Sequence, residues 1–416
     1  MPQNQRFRIL FVFPYYKPAF VYGGPVQCNA YLCEGLVEVG AEVTVFTTNA
    51  NRGAPLHVPL QKPVDVNGVT VWYFPLSLIG LSFFYSRLLG KAVSNRVSEF
   101  DLVVLASLWG HSLIPTARAC ARSSVPYVIP THGQLYPWAL AKKKLKKNLY
   151  LHLVARRYLN RAAAIHCTDP TEVEAFERLN FRPPSFVVPN PIRASNFKHN
   201  QTNGKLRQQV GVPDGAAILI FLGRITQIKR ADIAVDVLGA VQSLDREIHL
   251  VLVGPDEDGL TPRLQAQARD LGCYDKLHFT GLLSQEDVIS ALADANLLLM
   301  PSEIQENFGM SALEALAAGV PILVSEGIPV GRWAQIAGAG RVESSTKNAF
   351  QQAALELLSS PERLTSMGQR GQDLVRHFFD VKVVARQMLE QFRSIIAAGR
   401  PLPRNDFEVK PVLVNN

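Results

Sequence analysis

Short apolar runs rich in Val, Ile and Phe alternate with helical stretches along the whole chain, and this alternation limits the possible folds most strongly. The first series is RILFVF (8–13), EVTVFTT (42–48), VTVWYF (69–74), DLVVLAS (101–107), PYVIPT (126–131), AAIHCT (163–168) and FVVPN (186–190). The second is AILIFLGR (217–224), IHLVLVGP (248–255), KLHFTG (276–281), ANLLLMPS (295–302) and PILVSEG (321–327). Nearly continuous apolar strands separated by helices are typical of parallel sheets covered on both faces. The sequence therefore predicts an α/β protein with two doubly wound domains.

A segment poor in large apolar residues separates the two series. It reads PNPIRASNFKHNQTNG (189–204), and its Pro, Asn and Ser content is typical of a linker. After the second series, VKVVARQMLEQFRSIIAAG has the periodicity of an amphipathic helix that ends at Gly399. We therefore divide the chain into an N-terminal domain (1–192), a linker (193–204), a C-terminal domain (205–380), a helix that we expect to pack back on the N-terminal domain (381–399) and a tail (400–416).

The basic side chains are concentrated in one part of the chain. The formal net charge is +8, yet the segment from Leu102 to Thr168 contains no Asp or Glu. Its basic residues are Arg118, Arg122, Lys142, Lys143, Lys144, Lys146, Lys147, Arg156, Arg157 and Arg161. Such a surface suits phosphate groups, anionic lipid heads or nucleic acid. A solvated helix that serves only solubility is an equally open interpretation.

Several features favour a protein of the reducing cytosol. The N-terminus, MPQNQRFRILFVF, has two arginines before a short apolar run that meets Pro14, which is typical of a first strand rather than of a signal peptide. The uncharged stretch at 66–86 is interrupted by Asn, Gly, Pro and Ser, which argues against a spanning helix. The five cysteines form no C-x-x-C pair, so we expect no structural metal.

Two carboxylates stand around a predicted helix start in ENFGMSALE. Glu306 lies after a predicted strand, the helix begins near Gly309, and Glu314 lies inside it. This spacing suits an extended ligand with one glutamate at each end and the free amides of Phe308, Gly309 and Met310 near its phosphates. A helix-dipole partner and a separate surface glutamate would explain the spacing equally well.

The same domain opens with two cations at a strand-to-helix turn. In FLGRITQIKRAD, the strand is followed by Gly223, Arg224 and, five residues later, Lys229. Two cations at such a turn can clamp a diphosphate. Because ligands of parallel α/β sheets bind outside the carboxyl ends of the strands, we expect these cations and the two glutamates at one sheet edge.

The combination GRITQIKRAD and PSEIQENFGMSALEALAAGVPILVS resembles the family 4 glycosyltransferases, whose hallmark is an E-x7-E motif within a GT-B fold of two Rossmann-like domains facing across a cleft. The likeness extends over nearly the whole chain. YYKPAFVYGGPVQCNAYLCEGLVEVGAEVTVFTT resembles the first strand, Gly-Gly turn and helix of the family, and VVPNPI resembles its linker. The resemblance implies a retaining hexosyltransferase that uses a nucleotide-diphosphate-sugar and needs no metal, with its acceptor side in the N-terminal domain and its donor site in the C-terminal domain.

The resemblance also implies roles for individual residues of the C-terminal domain. Arg224 and Lys229, after the Gly223 turn, bind the donor diphosphate and stabilise the leaving group. Glu314 binds the ribose, and Glu306 the hydroxyls of the transferred sugar. One departure is Arg230, which stands where the family usually has Gly. None of these implied roles depends on a metal ion.

In the N-terminal domain, the Gly23-Gly24 turn would let the backbone approach the donor. His132, in PYVIPTHGQLYPW, matches the position where many relatives place a histidine near the reacting sugar. There it would hydrogen-bond the sugar and help to stabilise an oxocarbenium-like transition state. Without the family context, a structural loop histidine is the more frequent case.

Motifs for other chemistries are absent or poorly placed. DED (256–258) formally matches a metal-binding D-x-D but lies in a polar loop. No G-x-G-x-x-G follows the first strand, which disfavours a dinucleotide dehydrogenase, and neither G-x-S-x-G nor H-E-x-x-H occurs.

The acceptor is expected to be lipid-linked or a growing polysaccharide. PWALAKKKLKKNLYLHLVARRYLNR (137–161) mixes lysines with Trp, Leu and Tyr, as in helices that lie on anionic membranes. With the apolar stretch at 78–85, it predicts peripheral association through Lys142 to Lys147 on the inner face of the membrane.

Two other classes remain open. A sugar-nucleotide epimerase shares the GT-B architecture but needs no acceptor. A nucleic-acid-binding protein would explain the basic segment but not the grouped charges of the C-terminal domain, so we predict no nucleic-acid partner.

Overall fold

The computed structural model describes residues 6–77, 83–106, 108–141, 143–197, 204–303 and 306–402, which form two compact units. Within these residues, the first unit covers 6–191 and 381–402, and the second covers 192–380. Among the described helices, none combines the length and the apolar composition that crossing a membrane requires.

The first unit contains an eight-stranded sheet in the order β3-β4-β2-β1-β5-β6-β7-β8. Its strands are β1 (Arg8–Val12), β2 (Glu42–Thr48), β3 (Pro63–Val66), β4 (Val69–Phe74), β5 (Leu102–Leu105), β6 (Tyr127–Pro130), β7 (Ala164–Cys167) and β8 (Ser185–Val187). All neighbours pair in parallel except β3 and β4. The predicted strands of the first series are all confirmed. Strand β3 was not predicted, although the Asn67-Gly68 turn that joins it to β4 is a strong hairpin signal.

Helices cover both faces of this sheet. They are α1 (Gly24–Glu38), α2 (Arg87–Arg96), α3 (Leu113–Ser123), α4 (Pro137–Ala141), α5 (Lys144–Tyr150), α6 (Arg156–Leu159) and α7 (Pro170–Glu177). Because side chains alternate along a strand, Ile9 and Phe11 of β1 enter one core and Leu10 and Val12 enter the other. This two-sided burial explains why the strands have nearly continuous apolar sequences.

The second unit contains a six-stranded parallel sheet in the order β11-β10-β9-β12-β13-β14. Its elements are α8 (Lys205–Val210), β9 (Ala217–Leu222), α9 (Ala231–Val241), β10 (Ile248–Val253), α10 (Thr261–Asp270), β11 (Leu277–Gly281), α11 (Gln285–Asp294), β12 (Leu297–Met300), α12 (Met310–Ala318), β13 (Ile322–Ser325), α13 (Pro329–Ile336), β14 (Gly340–Glu343), α14 (Lys347–Leu358) and α15 (Pro361–Leu374). The predicted strands of the second series are confirmed. Strand β14, GRVE, was not predicted because it is short and only partly apolar.

The last described helix, α16 (Val381–Ala398), belongs to the first unit and packs on α1. The two helices approach closely at Gly35, where a Cβ would lie 2.7 Å from Cγ2 of Val381. Met388 and Phe392 enter the core on that side of the sheet. Burying such side chains contributes about 1.5–3 kcal/mol each, so α16 is an integral part of this unit.

Both sheets have a point at which the strand order reverses. In the first sheet it lies between β1 and β5, and in the second between β9 and β12. Open α/β sheets bind ligands outside the carboxyl ends of the strands at such points. The loops that follow β9 and β12 therefore lie where a sheet of this kind binds its ligand.

Candidate active site

Two loops meet at the reversal point of the second sheet. The loop after β9 begins at Gly223, whose amide donates to the carbonyl oxygen of Val253 (2.9 Å). The loop after β12 is tied to it by the amide of Glu303, which donates to the carbonyl oxygen of Ile228 (2.8 Å). These backbone bonds bring together side chains that lie far apart in the sequence.

Lys229 and Glu306 form an ion pair at this edge. Their side chains are only 18% and 23% exposed, and the Ser302 hydroxyl also donates to Glu306 Oε1 (3.1 Å). A pair so shielded from water interacts more strongly than a surface pair. The structure thus brings these two predicted residues into direct contact.

Arg224 pairs with a different carboxylate. Its Nη1 lies 2.8 Å from Oε2 of Glu257, and the two side chains are 54% and 31% exposed. Glu257 belongs to the DED segment, in which Asp256 accepts from the amide of Thr261 (2.8 Å) at the start of α10 and Asp258 accepts from the amide of Gln227 (2.9 Å). The three carboxylates therefore support the β9 loop and α10.

Glu314 lies in α12 and has a different environment from Glu306. It is partly buried, and burial raises the pKa of its carboxyl to about 7, although a hydrogen bond from Gln285 opposes this shift. Gln285 begins α11, so the carboxyl is held between two helices. The structure places Glu314 beside a neutral amide rather than in the Lys229–Glu306 pair.

The start of α12 requires a glycine. Gly309 has a φ of +92°, and a Cβ there would lie 2.6 Å from Cγ2 of Ile328. Helix geometry leaves the amides of the first turn without helical acceptors, so the amide of Met310 is among the groups that can meet an anion. The predicted helix start near Gly309 is confirmed.

The prediction for Phe308 concerned its backbone amide, and its side chain packs in the core. Its side chain is buried and packs edge-on against Phe379 at a centroid distance of 5.8 Å, and its carbonyl oxygen accepts from the amide of Val330 (3.1 Å). The ring is therefore part of the core, which leaves only the backbone of Phe308 for a ligand.

Sequence reasoning missed four polar residues around these groups. They are Glu257, Gln285, Ser302 and Asn307. Asn307 Oδ1 is buried and accepts no hydrogen bond from the residues that the structure describes. Its position directly after Glu306 was an available signal, whereas the partnerships of Glu257 and Gln285 depend on contacts between distant segments.

In the first unit, Gly23 and Gly24 lie at the start of α1, after the loop that follows β1. The amide of Gly23 donates to the carbonyl oxygen of Phe20 (2.8 Å), and Gly24 is the first residue of α1. Lys17, earlier in the same loop, forms a buried ion pair with Glu34 of α1 (2.5 Å). This pair fixes the loop to the helix that follows it.

His132 follows β6 with a φ of +43°, and its ring centroid lies 6.4 Å from that of His166. Burial, with a smaller effect of His166, lowers the pKa of His132 to about 3, so the imidazole is neutral near pH 7. Its Nε2 is buried and makes no hydrogen bond within the part of the chain that the structure describes. A neutral imidazole can donate or accept a hydrogen bond but supplies no charge.

The predicted membrane segment is partly helical and strongly exposed. Leu145, Leu149 and Leu153 are 87%, 62% and 72% exposed. Lys143, Lys144 and Lys146 are exposed beside them, and Lys142 lies outside the described residues, as do residues 78–82 of the second predicted apolar stretch.

Lys147 does not share this exposure. Its Nζ donates to the carbonyl oxygen of Ala139 (2.5 Å) and lies 5.0 Å from the centroid of the Trp109 ring. This lysine therefore stabilises the α4–α5 connection, and the exposed basic surface comprises the other described lysines of the segment.

Comparison with known proteins supports one family for both units. Residues 23–191 match the model of the glycosyl transferase 4-like domain, and residues 202–374 match that of the glycosyl transferases group 1. A D-inositol 3-phosphate glycosyltransferase of Streptomyces bingchenggensis is 31% identical over 328 residues, which cover 73% of this chain and 70% of the relative. The enzyme of the same name from Segniliparus rotundus is 28% identical over 223 residues, which cover 52% of this chain but only 48% of the relative.

Among solved structures, Anabaena Alr3699/HepE in complex with UDP and glucose is similar, with a TM-score of 0.72 and 20% identity. The match covers 94% of this chain and 100% of that protein. At this identity the likeness concerns the fold, which agrees with two parallel-rich α/β sheets of the GT-B type. The chain therefore belongs to the family 4 glycosyltransferases.

Proposed function

We propose that this glycosyltransferase moves a sugar from a nucleotide-diphosphate-sugar to an acceptor with retention of the anomeric configuration. The observation that carries the proposal is the grouping of Arg224, Lys229 and Glu306 on two loops at the reversal point of one sheet. In the proposed step, the bond from the anomeric carbon to the diphosphate oxygen breaks. The acceptor oxygen bonds to that carbon on the same face, and its proton passes to the departing diphosphate.

The proposed roles follow from charge. Arg224 and Lys229 stabilise the negative charge that develops on the diphosphate, and Glu306 accepts hydrogen bonds from sugar hydroxyls. Glu314 accepts from the ribose hydroxyls, since its carboxyl lies on α12 apart from the ion pair. His132 acts on the donor sugar as a neutral hydrogen-bonding group.

This mechanism uses no metal ion, because two protein cations serve the leaving group. We therefore expect transfer to persist in excess EDTA and to gain nothing from added Mg²⁺ or Mn²⁺. Loss of activity in EDTA that is restored by one of these ions would contradict this part of the proposal.

The first experiment is a thermal-shift screen of UDP-, GDP- and ADP-sugars, because a ligand of the folded state raises its melting temperature. UDP-glucose comes first in the screen, since HepE was solved with UDP and glucose. The donor found is then used in transfer assays, and the anomeric configuration of the product is read by NMR. Inversion, or a covalent glycosyl-enzyme trapped with a slow donor, would contradict the proposed mechanism.

For the acceptor, we propose a lipid-linked molecule at the surface of an anionic membrane. The exposed leucines Leu145, Leu149 and Leu153 recur every four residues, so one side of the helical segment offers apolar side chains to the outside. Exposed lysines of the same segment add about 1 kcal/mol each near an anionic surface. Apolar and basic side chains together are typical of helices that lie in a membrane interface.

Vesicle sedimentation tests the membrane proposal. Wild-type protein should bind vesicles that contain phosphatidylglycerol at low salt, and replacing the three leucines by serine should abolish binding. Leu282→Ser, at a leucine in the second unit that is 78% exposed, is the matched control and should bind as wild type does. Equal binding by the triple variant would refute the role of this surface.

A soluble phosphorylated acceptor is the second candidate. The two reported relatives are named as D-inositol 3-phosphate glycosyltransferases, which favours an acceptor with a phosphate group. Assays with inositol 3-phosphate and with polyprenyl-diphosphate sugars, using one donor, distinguish the two candidates. Donor consumption without any acceptor, with release of the free altered sugar, would instead favour an epimerase.

A further inference from the structure

A buried carboxylate in the first unit has no part in the proposed reaction so far. Glu172 is only 2% exposed and lies in the first turn of α7, beside the carboxyl ends of β6 and β7. We propose that Glu172 is a positioning residue for His132, which it holds through the backbone of the turn after β6. This inference rests on the proposed function, because it concerns how His132 is presented to the donor sugar.

The contacts of Glu172 join two strand ends. Its Oε1 accepts from the amide of Gly133, the residue next to His132. Its Oε2 accepts from the amide (2.6 Å) and the hydroxyl (3.0 Å) of Thr168, which follows β7. The hydroxyl of Thr131 donates to the carbonyl oxygen of His166 (3.3 Å), on the same neighbouring strand. One carboxylate thus joins the residue after His132 to the end of the neighbouring strand.

The backbone of this turn needs such support. His132 and Gly133 have φ values of +43° and +70°, and a non-glycine residue in this region is held there only when its surroundings impose the conformation. On the strand side, the amide of Thr131 donates to the carbonyl oxygen of His166 (3.0 Å). On the other side, Gly133 is held by Glu172. The position of the His132 ring therefore depends on the carboxylate.

A carboxylate suits this place better than an amide. Every described partner of the Glu172 carboxyl is a donor, and above its pKa of about 7 this carboxyl is ionised and only accepts. A glutamine would direct an NH₂ group at one of these donors and lose a hydrogen bond. Supporting groups of this kind commonly change activity when mutated, because a small displacement of a reacting group is costly.

The alternative role is local capping of a helix. Glu172 is the third residue of α7 after the cap Asp169, which is the position of the glutamate in a capping box. Capping would affect the stability of α7 without involving His132. The test must therefore ask whether the effect of Glu172 on catalysis depends on the histidine.

A double-mutant cycle of Glu172→Gln and His132→Ala tests this dependence. In the wild-type background, Glu172→Gln should lower kcat about 10- to 100-fold with little change in the KM for the donor. In the His132→Ala background, the same substitution should change kcat less than about twofold. Asp169→Ala is the control, since it removes the cap of α7 and should lower Tm while leaving kcat near the wild-type value.

Two outcomes overturn the inference: a wild-type kcat in Glu172→Gln, or the same fold loss in both backgrounds. If Glu172→Gln does not fold, Thr168→Val decides in the same cycle, because it removes one donor to the carboxylate and should lower kcat only when His132 is present. If the wild type transfers sugar but the double-mutant cycle shows one of these outcomes, only the positioning role of Glu172 is refuted. A wild type that transfers no sugar from any donor refutes the proposed function.

Discussion

The ion-paired carboxylates Glu306 and Glu257 of the second unit and the carboxylate Glu172 of the first unit have opposite environments. In the second unit, Glu306 and Glu257 are partly exposed, and each pairs with a cation. In the first unit, Glu172 is buried and accepts hydrogen bonds from neutral amides and hydroxyls, near a histidine that is itself neutral. Charges that can exchange partners suit the binding of a charged donor, whereas a buried hydrogen-bond network suits the rigid placement of one side chain. In the proposed function, Glu306 and Glu257 therefore belong to donor binding, and Glu172 belongs to the positioning of His132.

The largest expected effect comes from removing the carboxylate of the shielded pair. Glu306→Ala should lower kcat about 100-fold or more, because in the proposed function the transferred sugar loses its hydrogen-bond acceptor and its alignment. Nucleotide affinity, measured by calorimetry with the nucleoside diphosphate, should change little. Glu303→Ala, at an exposed glutamate in the same loop, is the matched control and should keep wild-type kcat. Equal loss in both variants would show that the loop, rather than the carboxylate, is responsible.

The buried carboxyl of Glu172 should make the free energy of unfolding depend on pH more strongly than the exposed ion pairs do. Burial raises the pKa of Glu172 to about 7 from the ordinary value of 4.5. The folded state then holds more protons than the unfolded state between these values, so stability should fall as pH rises from about 4.5 to 7, by roughly 3 kcal/mol. Glu172→Gln should flatten this part of the stability curve in urea unfolding. A curve with an unchanged slope would mean that Glu172 is already ionised at pH 5.

Glu314 is partly buried. Its pKa of about 7 predicts that donor binding depends on pH. In the proposed function, ribose hydroxyls donate to the ionised carboxyl, so the affinity for a nucleotide sugar should rise with pH. Below the pKa of Glu314, this affinity should decrease up to about tenfold for each pH unit. A nucleotide-diphosphate-sugar is the proper probe, because its phosphates do not titrate near neutrality. The Kd of Glu314→Gln should be independent of pH, and a parallel pH dependence in that variant would assign the titration to another group.

The sequence was sufficient for the fold because both strand series are buried on two sides and therefore apolar throughout. It was insufficient for β3 and β14, which are edge strands with polar residues. At the site, Lys229 and Glu306 were recognisable because both follow strands that are neighbours in the sheet. Glu257 and Glu172 were missed because their roles arise from tertiary contacts, and Glu172 in particular resembles an ordinary first-turn glutamate in the sequence.

Arg230 illustrates how a departure from the family pattern can be understood once the backbone is known. It has a φ of +53°, a conformation for which glycine is better suited, so the family's glycine at this position has a physical reason. Here the guanidinium is held by Asp232 (3.0 Å), two residues later. The arginine therefore forms an ion pair within its own turn, and Lys229 keeps its pairing with Glu306.

The smallest expected effect distinguishes Arg224 from Lys229, the two cations of the proposed donor site. The Arg224–Glu257 pair is more exposed than the Lys229–Glu306 pair, and exposed pairs contribute about 0–1 kcal/mol. A donor diphosphate that takes Arg224 must displace Glu257, so Glu257→Gln should lower the KM for the donor about two- to fivefold with kcat unchanged. Asp258→Asn is the control, because it weakens support of the same loop at Gln227 without competing for Arg224. If Glu257→Gln raised the KM instead, Glu257 would be holding Arg224 in place for the donor, and the exposed pair would be a positioning contact like that of Glu172.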